Sequence, residues 1–179
     1  GYVTEVEFTD EMIQSLADIA LANEGSVVSV NQAHLKVYLD GSDYDYNKID
    51  PLPMTDVMNQ SIQRLGMYTN YKDLTPIIDY LYTKEEDESL YYDGYLNRSR
   101  AMYEMNISAY IQELMNALLA LEPDANGNVD LTKLLAPRTI YIAPEAYDQF
   151  TLSRSILQGS NHELNNASIE LELTYTLVK

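Results

Sequence analysis

The sequence has no cysteine, no tryptophan and only two histidines, His34 and His162, and its 11 Lys and Arg are outnumbered by 28 Asp and Glu over 179 residues. Each shortage removes a class of chemistry. Without thiols there are no disulfides, thiolate metal sites or cysteine nucleophiles, while the redox compartment stays open because either kind tolerates a cysteine-free chain. The formal net charge of −17 sets up a field that repels phosphate backbones and anionic lipid, so nucleic acid and membrane surfaces are poor partners. No apolar run approaches the ~20 residues that span a bilayer, so neither membrane insertion nor an uncleaved signal peptide is expected. The chain opens on Gly1 rather than Met, as a processed terminus or a tag remnant would.

Glycine is sparse as well. Beyond Gly1, it stands alone at Gly25, Gly41, Gly66, Gly94, Gly127 and Gly159, each where a periodic segment ends or turns. None belongs to a GxGxxG or GxxxxGK[ST] loop, so the backbone-amide cradle for phosphate groups is missing. The GxSxG elbow, the HExxH helix and a recognisable His-Ser-Asp arrangement are missing too, and no enzymatic activity is expected.

What the chain does contain is apolar and phenolic. Hydrophobic residues make up 46% and charged residues 22%, with 16 Tyr. That balance suits a globular protein, and the length suits a single domain over residues 1–179.

Periodicity then assigns the elements. From Tyr2 to Phe8, the residues Tyr2, Thr4, Val6 and Phe8 alternate with Glu5 and Glu7, as in a half-buried strand. Thr9 is placed to cap a helix over Asp10–Asn23, with Met12, Leu16, Ile19 and Ala20 as its apolar stripe. Ser26–Val30 and Ala33–Leu39 are expected as a strand pair, with His34 on the face away from the core and acting as an ordinary sheet histidine. A helix is predicted over Thr55–Leu65, stopped by Gly66, and another from Thr75-Pro76, where proline in the first turn forfeits no hydrogen bond. The strongest helical spacing runs from Asn97 to Leu121 through Ala101, Met105, Tyr110, Ile111, Leu114 and Leu118. Arg138–Ala143 is expected as a strand and Pro144–Leu152 as a short helix. Ile169, Leu171, Leu173, Tyr175 and Leu177 alternate with Ser168, Glu170, Glu172, Thr174 and Thr176, the cleanest strand pattern in the chain. The order implies an α+β fold: a mostly antiparallel sheet that includes both terminal strands, and a helical middle built on one long helix over about 97–121.

Two clusters are candidate sites. Asp40, Asp43, Asp45, Asn47 and Asp50 lie on a polar loop before Pro51 and offer the oxygen ligands that Ca²⁺ requires, although the spacing is not that of an EF-hand. Tyr91, Tyr92 and Tyr95 offer rigid apolar area with polar tips, suited either to recognition or to core packing with hydroxyls at the rim. A second acidic stretch, Glu122–Lys133, ends on Lys133 where an EF-hand needs a bidentate Glu, so an Asn126-Gly127 turn followed by a cap at Asp130 is expected there. Glycosylation acceptor patterns at Asn59, Asn97, Asn106 and Asn166 lean toward an external location.

The leading expectation is a non-enzymatic structural or assembly subunit, of the virion, extracellular filament or surface-layer type, acting through self-association or contact with another protein. Its motive is the poverty of reactive side chains together with two terminal strands able to pair through exposed edges. No cofactor is required. The alternatives are a calcium-dependent extracellular binding module using the Asp40–Asp50 loop and a carboxylate-based hydrolase, which needs two acids at catalytic separation.

Overall fold

The structure, a computed structural model, describes residues 3–21, 27–40, 61–85, 92–124, 128–145, 153–159 and 169–178. Along the chain run β1 (Thr4–Glu7), α1 (Asp10–Leu21), β2 (Val27–Tyr38), β3 (Leu65–Asn70), β4 (Thr75–Pro76), α2 (Ile78–Glu85), β5 (Asp93–Asn97), β6 (Met102–Asn106), α3 (Ser108–Leu119), a 3-10 turn (Leu131–Lys133), β7 (Thr139–Pro144) and β8 (Glu170–Val178). The strands form two four-stranded sheets, in the orders β1-β7-β3-β4 and β5-β6-β2-β8. All their pairings are antiparallel. The two terminal strands therefore lie at edges of different sheets rather than in one.

Several elements form for the local reasons read above. The Thr9 hydroxyl accepts from Met12 N at 3.3 Å and caps α1. Ile13, Leu16, Ala17 and Ala20 are the residues that α1 buries, a stripe turned slightly from the expected one, with Met12 and Ile19 at its margins. Asp130 caps the 3-10 turn by accepting from Thr132 N at 3.2 Å. β2 alternates as expected, with Ala33, Leu35 and Val37 in the core and His34, Lys36 and Tyr38 half-buried on the other face.

Other expectations are corrected. The long helix over 97–121 is present only as α3, Ser108–Leu119. The preceding stretch is the end of β5, a turn and β6. Asn97 makes the turn, its side-chain oxygen accepting from Arg100 N at 3.1 Å. Tyr103, Met105 and Ile107 also fit a period of two, and β2 supplies a ladder from His34↔Asn106 to Tyr38↔Met102 that turns this ambiguity into strand. The expected break between Ser26–Val30 and Ala33–Leu39 is a bulge inside one continuous β2, with Asn31 Nδ2 donating to Thr176 Oγ1 at 2.7 Å.

The helix expected over Thr55–Leu65 does not extend through its C-terminal part, because β3 begins at Leu65; its residues 55–60 lie outside the described ones. Gly66 is not a helix stop but a close approach inside β3, where a Cβ would come within 2.7 Å of Tyr68 Oη and 2.9 Å of Tyr80 Cε1. Thr75 and Pro76 form β4, and α2 starts at Ile78. Pro144 ends β7 rather than opening a helix, and 146–152 lie outside the described residues.

One apolar core draws on both sheets and all three helices, including Phe8, Leu16, Leu35, Met67, Tyr80, Leu114 and Ile140. The sheets are stitched together around Arg64. Glu145 N donates to Arg64 O at 3.1 Å and Leu96 N to Gln63 O at 2.9 Å, while the guanidinium Nε donates to Asp93 O at 2.9 Å. No helix among the described residues is long and apolar enough to cross a membrane.

Candidate functional site

Two sheets have four edges, and a strand edge is a row of unpaired N–H and C=O groups that pairs with another chain unless it is blunted. β1 is four residues long and carries Glu5 and Glu7. β4 has two residues, one of them Pro76. β5 is kinked, with φ of 60° at Asp93 and 75° at Gly94, and its register with β6 is irregular. Each is a poor template for a partner strand.

β8 is different. It runs nine residues as ELELTYTLV, without Pro or Lys, and among the described strands pairs only with β2. The first half of its apolar face is partly buried at Leu171 and Leu173 and packs against the core. The second half is open, with Tyr175 at 40% and Leu177 at 39% exposure, and the paired Val178 and Val27 are exposed on the opposite face at 51% and 61%.

The other side of the same ribbon is guarded. β6 pairs with β2 from His34 to Tyr38, and among the described strands none lies on that side of the first half of β2. There α3 substitutes for one. Gln112 Oε1 accepts from Val30 N at 2.7 Å and its Nε2 donates to Val28 O at 3.1 Å, so one side-chain amide imitates a peptide group. Ser108 Oγ accepts from Ala33 N at 2.8 Å, and Ile107 N donates to Ala33 O at 2.8 Å.

These contacts also orient β8. The peptide groups of Ala33 point toward α3 and β6, so its partner Leu173 is a non-hydrogen-bonded position toward β2. The N–H and C=O of Leu173 accordingly point out of the sheet, and alternation extends this to Leu171, Tyr175 and Leu177.

Of the tyrosine candidates, Tyr91 lies outside the described residues, Tyr95 is exposed, and Tyr92 is completely buried. Tyr92 thus offers no surface to a partner. Its ring lies 4.8 Å from that of Tyr80, which meets Tyr68 edge-on at 5.6 Å. The Arg64 guanidinium sits 4.6 Å above the Tyr95 ring and 3.3 Å from Glu145 Oε1. Tyr80 Oη donates to Glu145 Oε1 at 3.1 Å. Burial pushes the Tyr80 and Tyr92 phenols well up, so both remain neutral. The cluster joins sheet to sheet.

Of the calcium candidates, only Asp40 is described; it is exposed, and its N donates to Ile156 O at 2.7 Å. Asp43, Asp45, Asn47 and Asp50 lie outside the described residues. Among the described residues no group of three or more His, Asp or Glu is arranged to hold a metal ion. His34 lies 2.5 Å from Glu104 on the face of β2 away from the core, and His162 lies outside the described residues. A groove of about 300 Å³ runs beside Ile77, Leu81, Tyr110 and Pro137, and Glu113 is the one carboxylate among the described residues that line it. Among the described lining residues there is no second acid of the kind that glycosidic hydrolysis requires.

Comparison of the chain with models of protein families, with curated proteins and with solved structures returned no match in any of the three.

Proposed function

We propose that this chain is a non-enzymatic structural or assembly subunit acting through protein–protein contacts, and that β8 is the strand that makes them. The contrast among the sheet edges supports it most. Three are short, charged, proline-bearing or kinked, while β8 is long, regular and apolar at its outer half. Strand addition to such an edge gains main-chain hydrogen bonds, and the alternating side chains set specificity. The guarding of β2 by Gln112 adds weight, since it closes one side of this ribbon, while on the other side β8 has no further partner among the described strands.

Light scattering across a range of protein concentrations tests the proposal. A mass above that of one chain, rising with concentration, is expected. A mass fixed at one chain at every concentration and ionic strength overturns it.

A further inference from the structure

We infer that the occupant of the β8 edge is β8 of a second copy, antiparallel and centred on Thr174, so that the β5-β6-β2-β8 sheets of the two copies become one continuous sheet. The inference rests on the assembly reading above and specifies its partner and register.

Backbone geometry limits the choices first. The outward-facing peptide groups belong to Leu171, Leu173, Tyr175 and Leu177, so an antiparallel copy must set these residues opposite one another. Several registers satisfy that requirement, and side chains select among them. Centring on Thr174 opposes Leu171 with Leu177, Leu173 with Tyr175, Glu172 with Thr176 and Glu170 with Val178, and uses the full strand Glu170–Val178. No carboxylate faces another. Centring on Glu172 sets two carboxylates together, which is unfavourable for directly opposed like charges, and centring on Leu173 or Tyr175 shortens the overlap. In the Thr174 register, Tyr175 and Leu177, which the monomer leaves exposed, lie beside the partner's Leu173 and Leu171. About eight main-chain hydrogen bonds form across the junction.

A two-fold contact of this kind is isologous and self-complementary. The other terminal strand fits β8 less well, because β1 is only four residues long and would bring Glu5 and Glu7 toward Glu170 and Glu172.

Absence of cysteine makes the test clean, because any disulfide must come from an introduced thiol. The paired Thr174 positions form a non-hydrogen-bonded pair with Cα atoms about 4.5 Å apart, within disulfide range. Mild oxidation of Thr174→Cys is expected to give a covalent dimer as the main product, and Thr176→Cys far less. Tyr175→Pro removes an outward N–H and no intrachain hydrogen bond, so it is expected to keep the wild-type circular dichroism while raising the dimer dissociation constant about tenfold or more. Equal cross-linking at 174 and 176 overturns the register. If the unmodified chain assembles yet Thr174→Cys does not cross-link and Tyr175→Pro does not weaken assembly, the β8 pairing fails while the assembly reading stands. A chain that is monomeric throughout removes both.

Discussion

At the scale of single residues, the buried polar groups divide into those with partners and those without. Tyr92 is enclosed between Tyr80 and β5, and its hydroxyl has no hydrogen-bond partner. A desolvated, unpaired hydroxyl contributes no stability, whereas the ring does. Tyr92→Phe is therefore expected to leave stability unchanged or raise it by about 1 kcal/mol in urea unfolding; a lower unfolding midpoint would contradict this. Asp79 is the opposite case. It sits on α2, buried to 6% exposure, and its two oxygens accept from Ala109 N at 2.8 Å and Tyr110 N at 2.9 Å. Ile107, at the N-cap of α3, has no side chain that can do this, so a different helix supplies the cap. Burial raises the Asp79 carboxyl above 3.8, against the lowering effect of those two N–H groups. A raised folded pKa means that this group's stabilisation is fully present below its unfolded value and is lost as pH rises through the folded one. The stability difference between wild type and Asp79→Asn should thus shrink as pH rises from about 4 through the weakly acidic range. A difference flat with pH would show that Asp79 acts without titrating.

At the scale of elements, what could be read in advance follows the range of the interactions. β8 was legible because its alternation is uninterrupted, and α1 because cap and stripe lie within one segment. The Asn97–Leu121 stretch was not, because Met102–Asn106 satisfies two periods at once and the deciding partner, β2, lies about 70 residues away in sequence. Tyr92 and Tyr95 look alike in sequence, yet they are fully buried and exposed respectively, since successive positions near Gly94 turn to different sides of β5. The role of Gln112 gave no signal at all. Gln112→Ala would strip Val30 N and Val28 O of their partner, costing about 2 kcal/mol, and the Val30 amide should exchange with deuterium faster while β6 amides keep their protection. Unchanged exchange at Val30 would mean that water replaces the side chain without loss.

At the scale of the whole molecule, the charge of −17 opposes any meeting of two copies. Raising ionic strength from about 0.01 M to about 1 M shrinks the Debye length from about 30 Å to about 3 Å. Dimerisation is therefore expected to tighten with salt, by about tenfold in dissociation constant, as followed by sedimentation. Weakening with salt would instead indicate a contact between the copies built on ion pairs rather than on the β8 edge. Because an isologous contact closes on itself, β8 alone builds a two-chain unit, and an extended filament needs a further contact elsewhere.

The sequence by itself determined the absence of thiol chemistry, the net negative charge, the mixed helix-and-strand composition and the presence of a C-terminal strand over about Ser168–Leu177, because these depend on composition and on patterns within a few residues. Only the tertiary structure decided that the strands divide into two sheets, that Asp79 caps a helix about 30 residues away, and that Gln112 closes one side of the β2–β8 ribbon. It also decided that, among the described strands, β8 pairs on one side only while β1 is short and acidic. Hydrogen-bond partners and edge positions are properties of neighbours brought together by folding, and a strand's own alternation is the same whether its outer peptide groups are paired or free.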